Sequence, residues 1–353
     1  MTFDSSDFEP LVALGWDRDL EIAFTALALG EAVPGRVARV DRARCTVLAP
    51  EPRRAESGRQ MVATGDWVAV GAGASPGDEP AVLAVLPRRT AFVRDRTGAE
   101  TVAQVIAANV DRVLLLIALD TDLSSARLDR YLALAWQSGA VPVVVLTKSD
   151  TRSDVEVVEA RRWAEALALG VDVALVSATT GAGIEALARE QLAPGRTIAV
   201  LGPSGVGKSS LVNALVGEEV MPTGETRRDG KGRHTTTHGQ LIAVPDRGVL
   251  LDTPGMRGLA LWNASEGLAQ TFADLEELAH SCRFSDCQHA GEPGCAVAAA
   301  IADGSLDPER LASQRKLQRE LDSLAIRQGD LLLRQEAQRR WKAVSREARR
   351  RPR

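Results

Sequence analysis

Two periodicities divide the chain. Between Asp17 and Leu29 apolar residues recur at helical spacing and predict a short amphipathic helix. From Pro34 to about Thr90 the pattern shortens. The runs Gly35–Val40, Cys45–Ala49, Gly65–Val70 and Ala81–Leu86 are separated by Gly, Pro and Asp. Short strands with turn signals between them predict a small antiparallel barrel, an OB-fold, although an SH3-like barrel carries the same pattern. After about Thr101 nearly continuous Val/Ile/Leu runs alternate with amphipathic stretches. Val113–Leu119, Val141–Thr147, Val171–Ser177, Thr197–Leu201 and Gly248–Asp252 read as strands. Leu123–Gly139, Asp154–Leu169, Ile184–Gln191 and Lys208–Leu215 read as helices. Strands without a polar face, alternating with helices, predict a parallel sheet covered on both sides. Beyond Trp262 helical patterns surround a Cys/His cluster, and the chain ends in a charged helical stretch, Pro308–Arg349, and a basic tail.

The expected architecture is therefore multidomain. Residues 1–33 form a helical extension, 34–95 the OB-fold barrel, 100–262 an α/β P-loop domain and 263–353 a mainly α metal-binding domain with the tail. A length of 353 residues supports two or three domains, and 45% hydrophobic residues suffice for real cores. The net charge of −4 excludes a protein that coats nucleic acid over its whole surface, so any such contact must come from local patches. The first nine residues carry Asp4, Asp7 and Glu9 and no basic residue, unlike a secretory signal. The longest apolar runs are of strand length, far short of a membrane span. Three of the four cysteines crowd between 282 and 295, which suits metal ligation better than a disulfide framework. A cytoplasmic protein with no membrane partner is expected. Cys45, in a barrel strand, reads as an inert core residue.

The segment Gly202-Pro203-Ser204-Gly205-Val206-Gly207-Lys208-Ser209 fits G-x-x-x-x-G-K-[ST] at every fixed position. It follows a strand and opens a helix, as the motif requires. Glycines let backbone N–H groups curl around phosphate oxygens, and the helix N-terminus adds partial positive charge. Lys208 is placed to reach the outer phosphates and Ser209 to ligate Mg²⁺, with Ser210 beside them in the first helical turn.

Thr147-Lys148-Ser149-Asp150 follows the apolar strand ending at Thr147. At the carboxyl end of a parallel strand, where ligands sit, the Asp150 carboxylate can accept two hydrogen bonds from guanine N1–H and its 2-amino group. Adenine offers no such donor pair. Alone, T-K-x-D also fits a solvated turn. The next strand, however, ends in Ser177-Ala178, as the guanine-supporting element of GTPases does, and the pair favours GTP over ATP. Asp252-Thr253-Pro254-Gly255 closes the set, with Asp252 placed to hold Mg²⁺ through water and Gly255 to offer an N–H to the γ-phosphate. The base-reading elements precede the phosphate loop, so the motif order is circularly permuted. Met256 stands where Ras-like enzymes have a water-orienting glutamine. A thioether cannot do that, and His234, in the polar loop Gly230–His238, is the nearest titratable substitute.

Cys282, Cys287, His289 and Cys295 supply three sulfurs and one imidazole, enough to fill a tetrahedral Zn²⁺ shell and leave no open position. Such a site would be structural, with one Zn²⁺ per chain. The tail from Arg339 to Arg353 is strongly basic, and Trp341 within it could stack on a base; a solvated helix face explains it equally well.

These residues together resemble the ribosome small-subunit-dependent GTPase A family (RsgA, also called YjeQ), over nearly the whole chain. The most specific elements are the order Thr147–Asp150, Gly202–Ser209, Asp252–Gly255, the stretch Gly232-Arg233-His234-Thr235-Thr236-Thr237, and the Cys282/Cys287/His289/Cys295 spacing. The resemblance implies an N-terminal OB-fold and a C-terminal zinc domain. It also implies GTP hydrolysis to GDP, stimulated by the small ribosomal subunit during late assembly, with the subunit and its rRNA as partners. By it His234 is the catalytic histidine, Thr236 the Mg²⁺-side threonine and the Cys/His set the zinc ligands. A monomer is expected. Many members have Asn where this chain has Thr147; either side chain can tie the base loop to the phosphate loop. The rival readings are a GTPase switch acting on a protein partner and a nucleotide-gated RNA-binding module with little catalysis.

Overall fold

The structure is a computed structural model describing residues 9–48, 52–58, 60–71, 79–95, 103–221, 239–252, 259, 261 and 264–327. Two short helices, α1 (Glu9–Val12) and α2 (Arg18–Ala26), form an N-terminal arm. Five strands follow: β1 (Val33–Asp41), β2 (Arg44–Leu48), β3 (Arg53–Glu56), β4 (Trp67–Gly71) and β5 (Ala81–Val85). They run β1-β2-β3-β5-β4, and β4 pairs back onto β1, closing a barrel. β3 meets β5 in parallel while the other barrel pairs are antiparallel. That five-stranded closure is the OB-like barrel. Its interior is filled largely by valines, Val37, Val47, Val68, Val70 and Val82, with Cys45 and Ala55. Burial pushes the Cys45 thiol up to about 11, so it behaves as a small hydrophobe.

An antiparallel pair, β6 (Ala91–Asp95) and β7 (Ala103–Ala108), leads to the nucleotide-binding core. There β8 (Arg112–Ala118), β9 (Val141–Thr147), β10 (Asp172–Leu175), β11 (Thr197–Leu201) and β13 (Val249–Asp252) are parallel, and β12 (Gln240–Ala243) is antiparallel at β13's side. The spatial order is β10-β9-β8-β11-β13-β12. Helices α3 (Ser125–Ser138), α4 (Asp154–Leu167), α5 (Ile184–Gln191) and α6 (Lys208–Val216) make the crossovers.

Strand periodicity sorts the side chains between the two faces. Val113, Leu115 and Ile117 of β8 enter one core with Val144, Leu146, Ala199 and Leu251. Leu114 and Leu116 enter the other with Val143, Val145, Ile198, Val200 and Leu250. Both faces are apolar because both are covered. The crossover helices carry their own boundaries. Ser124 caps α3 and Gly139 ends it in the left-handed conformation; Ser153 and Glu156 form a capping box on α4.

The C-terminal part comprises α7 (Ser265–Thr271), α8 (Ala273–Ala279), α9 (Ala296–Ala302) and a helix over 308–327, here α10. It docks on α3. Gly267 lets α7 approach closely, since a Cβ there would lie 2.7 Å from the Ala133 carbonyl oxygen. Arg310 of α10, buried, pairs with Asp129 of α3 and with Asp274 at 3.0 Å, donates to the Thr271 carbonyl at 2.6 Å and lies over the Phe272 ring. Beside it Arg130 of α3 forms a two-pronged pair with Glu320 at 2.6 and 3.0 Å. Among the described residues, no helix is long and apolar enough to cross a membrane.

Barrel and core are also tied together. Arg39 of β1 pairs with Gln240 of β12, and the Thr64 hydroxyl donates to the Gly239 carbonyl at 3.3 Å. Gly65 makes a close approach at φ +91°, where a Cβ would collide with the Ala108 carbonyl oxygen. Gly65→Ala should therefore cost about 2–4 kcal/mol of unfolding free energy. Gly58→Ala, left-handed at φ +56° but facing open space, should cost about 1 kcal/mol. Denaturant titration of the two variants checks this; equal losses would mean that only the dihedral matters.

Candidate nucleotide and metal sites

The winding direction of the sheet reverses between β8 and β11. From β8 the chain moves outward to β9 and β10, returns through α5 to β11, and then builds β13 and β12 on the other side. Ligands of open α/β sheets bind beyond the carboxyl ends of the strands at such a reversal. Thr147 ends β9, Gly202–Ser209 follows β11 and Asp252 ends β13, all at that edge.

The phosphate loop takes its curvature from glycine. Gly205 and Gly207 stand at φ +79° and +100°, and Gly202 sits so close to β8 that a Cβ would lie 3.1 Å from the Leu116 carbonyl oxygen. Gly207 caps α6, whose first turn carries Lys208, Ser209 and Ser210. The Lys208 ammonium folds back on its own loop, donating to the carbonyls of Gly202 at 2.9 Å and Pro203 at 2.6 Å. Val206 is buried beneath the loop, whereas Ser204 and Gly205 are exposed.

The Thr147 hydroxyl, 4% exposed, donates to the Val206 carbonyl at 2.7 Å and so binds the base loop to the phosphate loop. After it Lys148 turns left-handed at φ 58° and starts the 3₁₀ turn Ser149–Thr151, which leaves Asp150 exposed. Ser149 N–H donates to the Val176 carbonyl at 3.2 Å, joining this loop to the end of β10. Ser177 is fully buried, and its hydroxyl accepts the Thr180 N–H at 3.1 Å, fixing the turn that holds half-buried Ala178. The predicted Thr147, Lys148, Asp150, Ser177, Ala178 and phosphate-loop residues thus gather at one edge. A planar base with a donor pair can meet Asp150 while its phosphates lie in the loop.

Two partners here carried no motif. Asp120, just beyond β8, accepts from the Lys148 ammonium at 2.6 Å, and Arg152 ties the base loop to the Leu119 carbonyl at 2.6 Å. The only sequence signal for Asp120 is a carboxylate at the end of a buried strand. His234, Thr236 and Gly255, with Met256 and Trp341, lie outside the described residues.

Cys282, Cys287, His289 and Cys295 converge in the C-terminal part, their ligand atoms all within 4.8 Å of one another. Cys282 Sγ lies 3.9 Å from Cys295 Sγ and 3.6 Å from His289 Nδ1; Cys295 Sγ lies 3.4 Å from His289 Nδ1. Cys295 caps α9, its sulfur accepting the Ala298 N–H at 3.3 Å. Four soft or borderline donors at these separations can hold one metal ion.

Burial pushes the Asp252 carboxyl above its ordinary value, and the Lys208 ammonium offsets this only in part. With a raised folded value, the stability linked to Asp252 is greatest below the unfolded pKa and is lost as pH rises through the folded one. At neutral pH the nucleotide-free protein therefore carries a penalty. Asp252→Asn should melt higher than the native protein without nucleotide, yet lose Mg²⁺-dependent nucleotide affinity by about tenfold or more. Thermal denaturation and nucleotide titration with and without Mg²⁺ check this; a lower melting temperature in the variant would contradict it.

Known proteins share this arrangement. A family model described as RsgA GTPase matches residues 85–262. A protein of Streptomyces avermitilis named small ribosomal subunit biogenesis GTPase RsgA is 46% identical over 348 residues, covering 96% of this chain and 92% of its own. One of the same name from Opitutus terrae is 44% identical, covering 95% of each. Among solved structures, YjeQ from Thermotoga maritima superposes with a TM-score of 0.59 at 26% identity, covering 82% of this chain and 98% of that one. YloQ, described as a circularly permuted GTPase, shares the fold with a TM-score of 0.56 at 23% identity, over 83% of this chain and 96% of its own. A closed barrel, a permuted sheet and a Cys/His cluster, in that order and at that likeness, make this chain a GTPase of the RsgA family.

Proposed function

We propose that this protein hydrolyses GTP on the small ribosomal subunit during a late step of its assembly, and that the subunit completes the catalytic site. The observation that carries the reading is the gathering of base loop and phosphate loop at one sheet edge, in a chain so similar to proteins named for small-subunit biogenesis. Asp150 reads the guanine edge. Lys148, Ser177 and Ala178 frame the base, and Gly202–Ser210 with Gly255 enclose the phosphates. Mg²⁺, held through Ser209, Thr236 and Asp252, would neutralise charge on the β- and γ-phosphate oxygens. Met256 cannot orient water, so the free enzyme turns over slowly, and His234 takes that part once the small subunit is bound. Residues 34–95 form the barrel, 100–262 the GTPase domain and 263–353 the zinc domain with its tail. Barrel and zinc domain provide the RNA grip. The protein works in the cytoplasm, as a monomer.

Single-turnover GTP hydrolysis with and without purified small subunits tests this. The native protein should be stimulated, and stimulation should fall as salt rises because the grip is largely to phosphate. His234→Ala should lose stimulation by about 100-fold or more while GTP affinity stays nearly constant, as expected of a group acting only in the transition state. Undiminished stimulation of that variant would remove the histidine from catalysis. No stimulation of the native protein would remove the ribosome from the function.

The ion at the Cys/His cluster is a single structural Zn²⁺. Zinc–sulfur bonds of about 2.3 Å in a tetrahedron put sulfurs about 3.8 Å apart, and a sulfur about 3.6 Å from an imidazole nitrogen. Cys282 and Cys295 at 3.9 Å, and Cys282 and His289 at 3.6 Å, match those edges. Metal analysis should find about one Zn²⁺ per chain. Cys287→Ser should lose it and unfold the C-terminal part while nucleotide binding survives. Native protein with no metal and three freely titrating thiols would rule the site out.

A further inference from the structure

A cavity of about 410 Å³ lies where the N-terminal arm, the barrel and the amino end of the GTPase sheet meet. It sits away from the nucleotide loops. Thr197, which lines it, begins β11, and the phosphate loop starts only after that strand's other end. Five strand residues span about 17 Å. The volume is within the roughly 300–1,000 Å³ of small-molecule sites.

Its lining holds guanidinium N–H groups left unused and a hydroxyl with no partner among the described residues. Arg36 is 2% exposed. Its Nε donates to the Gly65 carbonyl at 3.4 Å, one terminal nitrogen to the Leu14 carbonyl and the other to the Asn109 carbonyl at 2.9 Å. Three of five N–H groups are thus used, and each terminal nitrogen keeps one more. Arg36 has no carboxylate partner among the described residues, and the buried Asp66 is occupied by Arg88 at 2.7 Å. Burial pulls the guanidinium down to about 10, although Asp111 and Asp66 oppose this. Among the described residues, Arg196 at the same cavity donates to the carbonyls of Glu190 and Gln191 and to no carboxylate. Thr197 is 1% exposed, and its hydroxyl oxygen is buried with no hydrogen-bond partner among the described residues. Of the two carboxylates at the rim, Asp17 is held by Arg89 at 2.6 Å and Asp111 accepts the Thr197 N–H at 2.6 Å. Three arginines against two aspartates leave the lining net positive.

We propose that this cavity binds a small oxyanion, a phosphate- or carboxylate-bearing molecule, through the remaining Arg36 N–H groups, the Thr197 hydroxyl and Arg196. The ligand supplies the direct anionic partner that Arg36, set over the Trp67 ring with Asp111 and Asp66 nearby, does not have among the described residues. Because Arg36 already touches the arm, the barrel and the segment entering β8, occupancy fastens all three at the root of the phosphate-loop strand. The site is independent of the ribosomal reading.

Full-length protein saturated with GDP and Mg²⁺, so that the phosphate loop is filled, is titrated with inorganic phosphate and separately with succinate. Ionic strength is held constant with KCl and the thermal midpoint is followed. The native protein should show a saturable rise, and the anion that saturates at the lower concentration identifies the phosphate or carboxylate source. Thr197→Val loses no hydrogen bond within the protein, so without anion it should melt at or above the native temperature. Its half-saturation should shift upward about tenfold. If that variant melts too low to titrate, Arg196→Gln should show the same shift. A rise that never saturates, as general salt exclusion gives, or equal half-saturation in native and variant proteins, overturns the proposal.

Discussion

Hydrogen bonds between β8 and β11, in parallel register from Arg112–Ile198 to Leu115–Leu201, join two halves of a sheet that the chain builds in an unusual order. Everything at the nucleotide edge depends on this ladder. It sets the phosphate loop beside the end of β8, where Gly202 touches Leu116, and within one hydroxyl of the base loop, where Thr147 reaches Val206. Permuting the chain order leaves this neighbourhood intact because the contacts are made by strands and not by connections. What permutation alters is the chain order: Asp252 is followed in sequence by the C-terminal helices.

Those helices also bear on the GTPase core by another route. Asp129 and Arg130 are adjacent on α3, the crossover between β8 and β9, and both reach α10, through Arg310 and Glu320. One apolar core is shared between the sheet face carrying Val113 and Leu115 and the C-terminal Phe272, Leu275 and Val297. Burial raises the Asp129 carboxyl while Arg310 opposes the rise, so removing Arg310 would leave Asp129 buried without its countercharge, whereas removing Asp129 would still leave Arg310 its pair with Asp274. The part that carries the Cys/His cluster is thereby packed on the core as a third layer.

Much of this was legible in the sequence because the signals were local. Strands buried on both faces must be apolar throughout, so β8, β9 and β11 announced themselves, and the loops after them carried spaced glycines and a lysine that few other structures need. The barrel was harder. β3 is Arg-Arg-Ala-Glu, with only Ala55 turned fully inward, and β12 is four residues long; neither has enough apolar positions to show a period. The choice between OB-like and SH3-like closure depends on which strands pair, a long-range fact that patterning cannot hold. The same applies to Arg310, Asp129, Arg36 and Asp120, whose partners lie far along the chain, so that each reads as an ordinary surface charge until the fold brings them together.

The position of β11 has a consequence for the nascent chain. Synthesis delivers β8, β9 and β10 first, and β8 pairs with β9 on one side only. Until Thr197–Leu201 leaves the ribosome, the other side of β8 is an open edge whose residues 113–118 read Val-Leu-Leu-Leu-Ile-Ala, without a charge or proline to guard it. Native sheets normally shield such edges, because unpaired apolar strands recruit other chains. In an unpermuted order the phosphate-loop strand would already be waiting. Here about 80 residues of translation, roughly 4–16 seconds at about 5–20 residues per second, separate the exposure of that edge from its cover. Permutation therefore places its cost in the kinetics of biosynthesis, while the finished sheet bears no mark of it.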